Sequence, residues 1–325
     1  MSDKDVSANS YFEDPVHCAD LLNGFTFHGK QYVLPEHIQM QNQNSALPNT
    51  RDKDKRKISI YRDIVINTKI QMKTTIITIE NQSDIHYAMP VRIMSGDSAN
   101  YHNQWRKIAK IHKEHKDLTG MEFLSGFSKE DKLTPVSTIV VYFGADPWDG
   151  PRCLKDMLNL KGFPQEMIDF IGDYPINLLE VRNFSDYEIF QSDFKYVCGF
   201  LQRDRDANAL QMYLAENEEQ FKNLAEDAFQ LIDNYSNFGH LLETRELYQT
   251  ETGGIDMCKA IEDMIENGKQ MGIELGMERG IERGLECGIE RGIQSLIKIC
   301  QEFGVTFDAT LHRIIAEFTL TEDKA

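Results

Sequence analysis

The spacing of apolar residues changes along the chain, and each change predicts an element. Residues 58–66 (ISIYRDIVI) and 74–80 (TTIITIE) are dense in Ile, Val and Thr, the composition of strands, and the intervening NTKIQMK fits a hairpin turn. Over residues 83–116 the period becomes helical. Tyr101, Trp105, Ile108 and Ile111 recur on one face, while Lys107, Lys110 and Lys113 charge another. The runs 137–144 (STIVVYFG) and 176–183 (INLLEVRN) predict further strands. Between them Asp149-Gly150-Pro151 marks a turn, and residues 153–160 predict a short helix. Upstream, residues 11–27 predict a short helix with Pro15 near its start and Val16, Ala19 and Leu22 on one side. Residues 38–50 are Gln/Asn-rich, end near Pro48 and predict a loop. Strand–helix alternation up to residue 185 predicts an α/β core, and the acidic stretch after it predicts helices packed outside that core.

The C-terminal part has a stricter rhythm. Gly268, Gly272, Gly276, Gly280, Gly284, Gly288 and Gly292 recur every four residues. An apolar residue usually follows each (Ile273, Met277, Ile281, Leu285, Ile289, Ile293), then a Glu. Each helical Gly costs roughly 1 kcal/mol relative to Ala. A repeat of four exceeds 3.6, so the stripe drifts by about 40° per repeat and wraps right-handedly. Two readings stand: a flexible tether, or a helix whose glycines let a partner helix approach, giving a homodimer. The charges in the repeat exclude a membrane dimer. The expected organisation is residues 1–206 as the core domain, 207–266 as an acidic helical region, 267–295 as the glycine-tetrad segment and 296–325 as a helical tail.

Hydrophobic residues make up 41 % and charged residues 27 % of the 325, enough apolar material for a real core. No apolar run approaches the length of a membrane span, and the first residues lack a basic-then-apolar leader. Six scattered cysteines with no CxxC pair predict reduced thiols and a cytoplasmic protein. The net charge of −17 hides an asymmetry. Residues 51–120 carry 14 Lys/Arg against 8 Asp/Glu, whereas residues 121–325 carry 19 against 38. Polyanion binding depends on the local patch, so the total does not exclude nucleic acid.

Candidate chemistry concentrates on the strand pair. Glu80 and Gln82 share parity, so both project from one face. If residues 58–66 pair with 74–80, Asp63 reaches the same spot. Two carboxylates with an amide oxygen and a backbone carbonyl suit a hard divalent cation such as Mg²⁺ or Mn²⁺. His112 and His115 are too few for zinc, and no phosphate-cradling loop is present.

The stretches RDIV…TTIITIENQSDIHYAMPVRIMSGDSANYHNQW, PVSTIVVYFGADPWDGPRCLKDML and INLLEVRNFSDYEIFQSDFKYVCGFLQ, with the tetrad tail, resemble the recombination-promoting nucleases, a PD-(D/E)xK family of transposase-associated proteins. The resemblance implies a restriction-endonuclease-like α/β core, a mixed sheet flanked by helices, with a helical C-terminal extension. It also implies a metal-dependent DNA endonuclease linked to recombination or transposition. Asp63 matches the superfamily's first acidic strand position, and Glu80-Asn81-Gln82 matches its (D/E)xK. Asp63 and Glu80 are then the metal ligands, and Gln82 orients water or completes the site. The acid that the superfamily places on its first helix falls on Asp20, with Asp14 as the alternative. Two positions depart from the pattern: Arg62 stands for the proline before the aspartate, and Gln82 for the lysine. Lys53, Lys55, Arg56, Lys57, Arg92, Lys107 and Lys110 are the expected DNA contacts. No base-reading motif is evident, so low sequence specificity is expected.

Overall fold

The computed structural model describes residues 3–41, 44–47, 58–61, 63–236, 238 and 241–318. The chain forms two compact units, Met1–Cys258 and Lys259–Ala325.

In the first unit, helix α1 (Asp3–Glu13) and helix α2 (Pro15–Leu21) replace the single helix expected over 11–27. Asp14 separates them. Its Oδ1 accepts the Val16 N–H at 2.7 Å, and Pro15 opens α2. Val16 is exposed, while Ala19 and Leu22 are buried.

Strands β1 (Gln39–Met40), β2 (Asn44–Leu47), β3 (Ile58–Tyr61), β4 (Ile64–Ile70) and β5 (Lys73–Gln82) follow. Helices α3 (Met89–His115) and α4 (Gly120–Ser125) lead to β6 (Val136–Tyr142), α5 (Gln165–Phe170) and β7 (Asn177–Glu180). The stretch read as one strand over 58–66 is two. Ile58–Tyr61 pairs with β2 in a separate ribbon, and β4 begins at Ile64. The hairpin turn is tighter than expected. Gln71 and Met72 take φ of +48° and +70°, so residues 67–70 stay in β4. Residues 153–160 form only a 3₁₀ turn at Lys155–Met157.

The five-stranded sheet has the order β1-β4-β5-β6-β7. The β1/β4 and β4/β5 pairs are antiparallel, and β5/β6 and β6/β7 are parallel. This is a mixed α/β sheet flanked by helices. Residues Ile77–Asn81 of β5 are all buried, because layers cover both faces. On one face Met89 and Ile93 of α3 pack on Val140, Tyr142 and Trp148. On the other, Asn9 of α1 accepts a hydrogen bond from the Asn81 amide at 2.8 Å, within a layer that includes Tyr11, Phe12, Phe143 and Phe194.

Helices α6 (Phe194–Leu201), α7 (Ala207–Glu216), α8 (Glu218–Phe221) and α9 (Glu226–Tyr235) belong to this unit. Helix α9 packs against α1 and α6, and Tyr235 stacks on Phe143 at 4.2 Å. Arg182, which follows β7, binds both carboxylate oxygens of Asp204 (2.6 and 2.9 Å) and the Tyr235 carbonyl (2.6 Å). The acidic region up to Cys258 is therefore integral to the sheet unit rather than packed outside its core.

The second unit holds most of α10 (Met257–Glu302) and all of α11 (Phe307–Phe318). A Cβ on Gly292 would meet the Phe318 ring at 2.7 Å, so that glycine seats α11 against α10. From Gly268 to Gly288 a Cβ on each tetrad glycine would meet nothing within 4 Å. No helix among the described residues is long and apolar enough to cross a membrane. None of the six cysteines is paired.

Candidate functional site

The site is built where β5 ends. Thr78, Glu80 and Gln82 alternate onto the α3 side of the sheet, in register with Thr138, Val140 and Tyr142 of β6. Ile64 pairs with Ile79, so Asp63, just before β4, stands beside Glu80. The Asp63 Oδ2 accepts the Asn81 N–H at 2.9 Å. The register therefore brings Asp63 opposite Glu80, while Gln82 lies two residues further along β5.

A cleft of about 250 Å³ opens here, lined by Asp63, Asn81, Gln82, Ser83, Asp84, Ile85, His86 and Arg92. It lies beyond the carboxyl ends of the parallel strands β5 and β6, where α/β sheets hold their ligands. Asn81 turns its amide to Asn9 on the α1 side, and of the other lining residues His86 has a buried Nδ1 without a hydrogen-bond partner. Such an atom costs on the order of 1–3 kcal/mol. The Gln82 amide turns back on its own strand, Nε2 donating to the Asn81 carbonyl at 2.8 Å.

Glu80 is fully buried. Its Oε2 lies 2.7 Å from Nη2 of Arg92, which enters from the first turn of α3. Nearby, Asp97 of α3 accepts the Thr138 hydroxyl at 2.7 Å and the Tyr174 hydroxyl at 2.6 Å, and Thr138 meets Thr78 at 2.5 Å. That buried network fixes α3, and with it Arg92, against the face carrying Glu80.

The donor set of Asp63, Glu80, Gln82 and the strand-end carbonyls is all oxygen and fits a hard divalent cation in kind. The Arg92 guanidinium already neutralises one of the two carboxylates. No group of three or more His, Cys, Asp and Glu side chains among the described residues is disposed around a metal position.

The other expected site residues lie apart. Asp20 is buried, and both its oxygens are engaged by residues 191–192: Oδ1 accepts the Gln191 N–H, and Oδ2 the Ser192 N–H, each at 2.8 Å. Asp14 is a helix cap. Neither lines the cleft. Lys107 and Lys110 are exposed on α3, and Lys110 lies five turns, about 27 Å, beyond Arg92 on the same stripe. Lys53, Lys55, Arg56 and Lys57 fall outside the described residues.

Sequence reasoning overlooked Asn81, Asp84 and His86. Their signal was position: the SDIH segment directly follows the strand that carries the carboxylate. No family model, curated protein or solved structure matches the chain.

Proposed function

We propose that this chain is a metal-dependent DNA endonuclease with a restriction-endonuclease-like core, hydrolysing phosphodiester bonds with low sequence specificity in the cytoplasm, in recombination or transposition. The observation that carries the reading is the register that sets Asp63 beside the buried Glu80, with Asp63 and Gln82 lining a polar cleft next to it. The order of an antiparallel β4/β5 hairpin, the α3 crossover and a parallel β6 supports the core assignment.

Asp63 and Glu80 would hold Mg²⁺ or Mn²⁺. Such an ion acidifies a bound water and neutralises charge gathering on the phosphorus-bound oxygens. Gln82 carries no charge and cannot act as a general acid or base. Its part is to position water by hydrogen bonding. Among the described lining residues, Arg92 is the cation suited to a phosphate oxygen. Lys107 and Lys110 extend that stripe along α3, and the basic 51–57 run adds charge in sequence. Backbone contacts of this kind bind without reading bases. Self-association through the tetrad helix would bring two sites together for double-strand cleavage.

A second reading is a silent DNA-binding protein on the same fold. The Arg92–Glu80 pair and the inward turn of Gln82 favour it. Supercoiled-plasmid cleavage with Mg²⁺ or Mn²⁺, for wild type and Asp63→Ala, with RNA tested in parallel, decides between them. The nuclease reading expects metal-dependent nicking that is lost in the variant. DNA binding without nicking would leave the silent reading.

A further inference from the structure

We infer that α4 is an apolar wedge for duplex DNA, so that the chain prefers duplexes already bent or unstacked by a bulge or mismatch. This rests on the DNA-binding part of the proposed function, is independent of any metal, and adds which duplexes are taken. Helix α4 is turned inside out. At about 100° per residue, Phe123, Leu124 and Met121 span an arc of about 160°. These three are 70 %, 79 % and 82 % exposed, while Glu122, on the opposite side, is half-buried. A surface helix ordinarily points its apolar arc at the core. Here the inward side is polar and serves as scaffold. Glu122 Oε1 accepts the Lys129 N–H at 3.0 Å, and its carbonyl accepts the Ser125 hydroxyl at 3.1 Å.

The base that presents the arc is fixed. Trp105 Nε1 of α3 donates to the Ser125 carbonyl at 3.1 Å, and His112 bridges Asp117 and Asp131 on either side of α4. Gly126, at φ +64°, closes the helix so near α3 that a Cβ there would stand 2.8 Å from the Ala109 Cβ. Those contacts also engage the local acids: Asp117 and Asp131 face His112, and Glu122 faces the Lys129 amide. The cations are left over. Arg106, Lys107, Lys113 and Lys116 are exposed and make no ion pair with a described carboxylate, and Lys110 meets only the exposed Glu114, at 3.8 Å. Arg106, Lys110 and Lys113 stand at i, i+4 and i+7, one stripe along α3. Lys110 shares that stripe with Arg92 of the cleft, about 27 Å away. Strand β2 packs on α3, and the chain between β2 and β3 carries Lys53, Lys55, Arg56 and Lys57.

This layout matches a duplex better than a bilayer. The free cations run along α3 toward the cleft, as a polyanionic rod requires, instead of ringing the apolar arc in one plane. Phe, Leu and Met are among the side chains that wedge between base steps and kink the duplex. A duplex laid along α3 from the cleft meets the level of α4 after about 8 base pairs. Inserting there buries the exposed arc but unstacks a step, so a step that is already open binds more tightly.

The test is DNA binding by the full chain in chelator, without cleavage. Fluorescence anisotropy compares a matched duplex with the same duplex carrying a central adenine bulge, for wild type and Met121→Gln/Phe123→Gln/Leu124→Gln. Wild type should prefer the bulged duplex by about tenfold, part of the cost of unstacking a step. The triple variant changes exposed side chains only, so its melting temperature should match wild type. It should hold the matched duplex within about twofold of wild type, through phosphate contacts, and lose the preference. Lys110→Gln/Lys113→Gln should weaken both duplexes alike and flatten the salt dependence. 2-Aminopurine beside the bulge should brighten with wild type and stay dark with the triple variant. Equal affinity of wild type for both duplexes, or a preference that survives in the triple variant, would overturn the wedge and leave the nuclease reading standing. No binding to either duplex would overturn both. Flotation with phosphatidylglycerol vesicles, or a dimer, that the triple variant abolishes while its DNA binding is unchanged would give the arc to a lipid surface or to a second copy, and the wedge would fall.

Discussion

Asp20 holds Ser192 through two contacts to one oxygen: its Oδ2 accepts the Ser192 N–H at 2.8 Å and the Ser192 hydroxyl at 2.5 Å. With Oδ1 accepting the Gln191 N–H, this carboxylate ties α2 to the segment that starts α6, across some 170 residues of sequence. Hydrogen bonds to a charged group contribute about 1.5–3 kcal/mol each, and leaving their partners unsatisfied adds desolvation cost. Asp20→Ala is therefore expected to lower stability by about 3 kcal/mol, seen as a clear drop in melting temperature. Any activity at low temperature should survive in the fraction that stays folded. A catalytic acid would behave oppositely. Full stability with activity abolished would return Asp20 to the reaction.

Asp63 and Gln82 separate two parts of the proposed site. Asp63→Ala should abolish metal-dependent plasmid nicking while DNA affinity stays within about twofold of wild type, because phosphate contacts dominate binding. Gln82→Lys should keep or raise nicking, since it places a cation beside the reacting phosphate. Nicking at the wild-type rate in Asp63→Ala would take that carboxylate out of the site. Total loss in Gln82→Lys would give the amide a role that charge cannot replace.

Part of this geometry was legible because strand parity is a local property. The alternation of Glu80 and Gln82 fixes one face, and pairing brings Asp63 to it. The strand boundaries were less legible. Residues 58–66 are rich in Ile and Val on both sides of Arg62-Asp63, and the chain changes partners at that charged pair, which the reading of one strand passed over. The hairpin turn falls on Gln71-Met72, left-handed residues without the usual Asn-Gly signature, so the link reads longer than it is. The Arg92–Glu80 pair joins residues 12 apart in different elements. Its partners are chosen by how α3 lies on the sheet, and periodicity does not encode that. The Arg182–Asp204 pair, which locks the acidic helices to the sheet unit, was hidden for the same reason.

His112 gives the fold a pH-dependent tie. Its ring bridges two carboxylates, Nδ1 to Asp117 and Nε2 to Asp131, each at 2.8 Å. The hydrogen bond to Asp117, then that to Asp131, raises its pKa above the ordinary 6.5. Asp117 is lowered chiefly by His112, and Asp131 by the Ser128 N–H first and His112 further down. A raised histidine contributes stability in full below its unfolded pKa and loses it as pH rises through the folded one. The lowered carboxylates contribute above their unfolded values and lose it as pH falls through the folded ones. The tie is thus strongest in mildly acidic solution and slackens above about pH 6.5. Amide exchange of residues 119–128, corrected for its intrinsic pH dependence, should show more opening at about pH 8 than at about pH 5.5. His112→Gln should remove that difference. An unchanged difference in the variant would place the titrating group elsewhere.

The tetrad helix makes a prediction whose sign depends on whether it has a partner. Ile273, Met277, Ile281 and Leu285 are between 58 % and 63 % exposed, and the glycines beside them have open space where a Cβ would stand. At four-residue spacing Glu274, Glu278, Glu282, Glu286 and Glu290 stack like on like, which weakens a lone helix further. Were the helix to stay alone, each Gly→Ala change at 276, 280 and 284 would add roughly 1 kcal/mol of helix stability with no other effect. In the homodimer we propose, those methyl groups would stand where the partner's backbone approaches. The triple variant should then be monomeric although its isolated helix is stronger, and truncation after Asn267 should likewise give a monomer with the sheet unit folded. Gly292→Ala is the internal control. It collides with Phe318 and should loosen α11 whatever the oligomeric state. Sedimentation equilibrium on the full chain and these variants reads the outcome. A wild-type chain that is monomeric at tens of micromolar, or a triple-alanine chain that still dimerises, rules out the glycine seam as the interface.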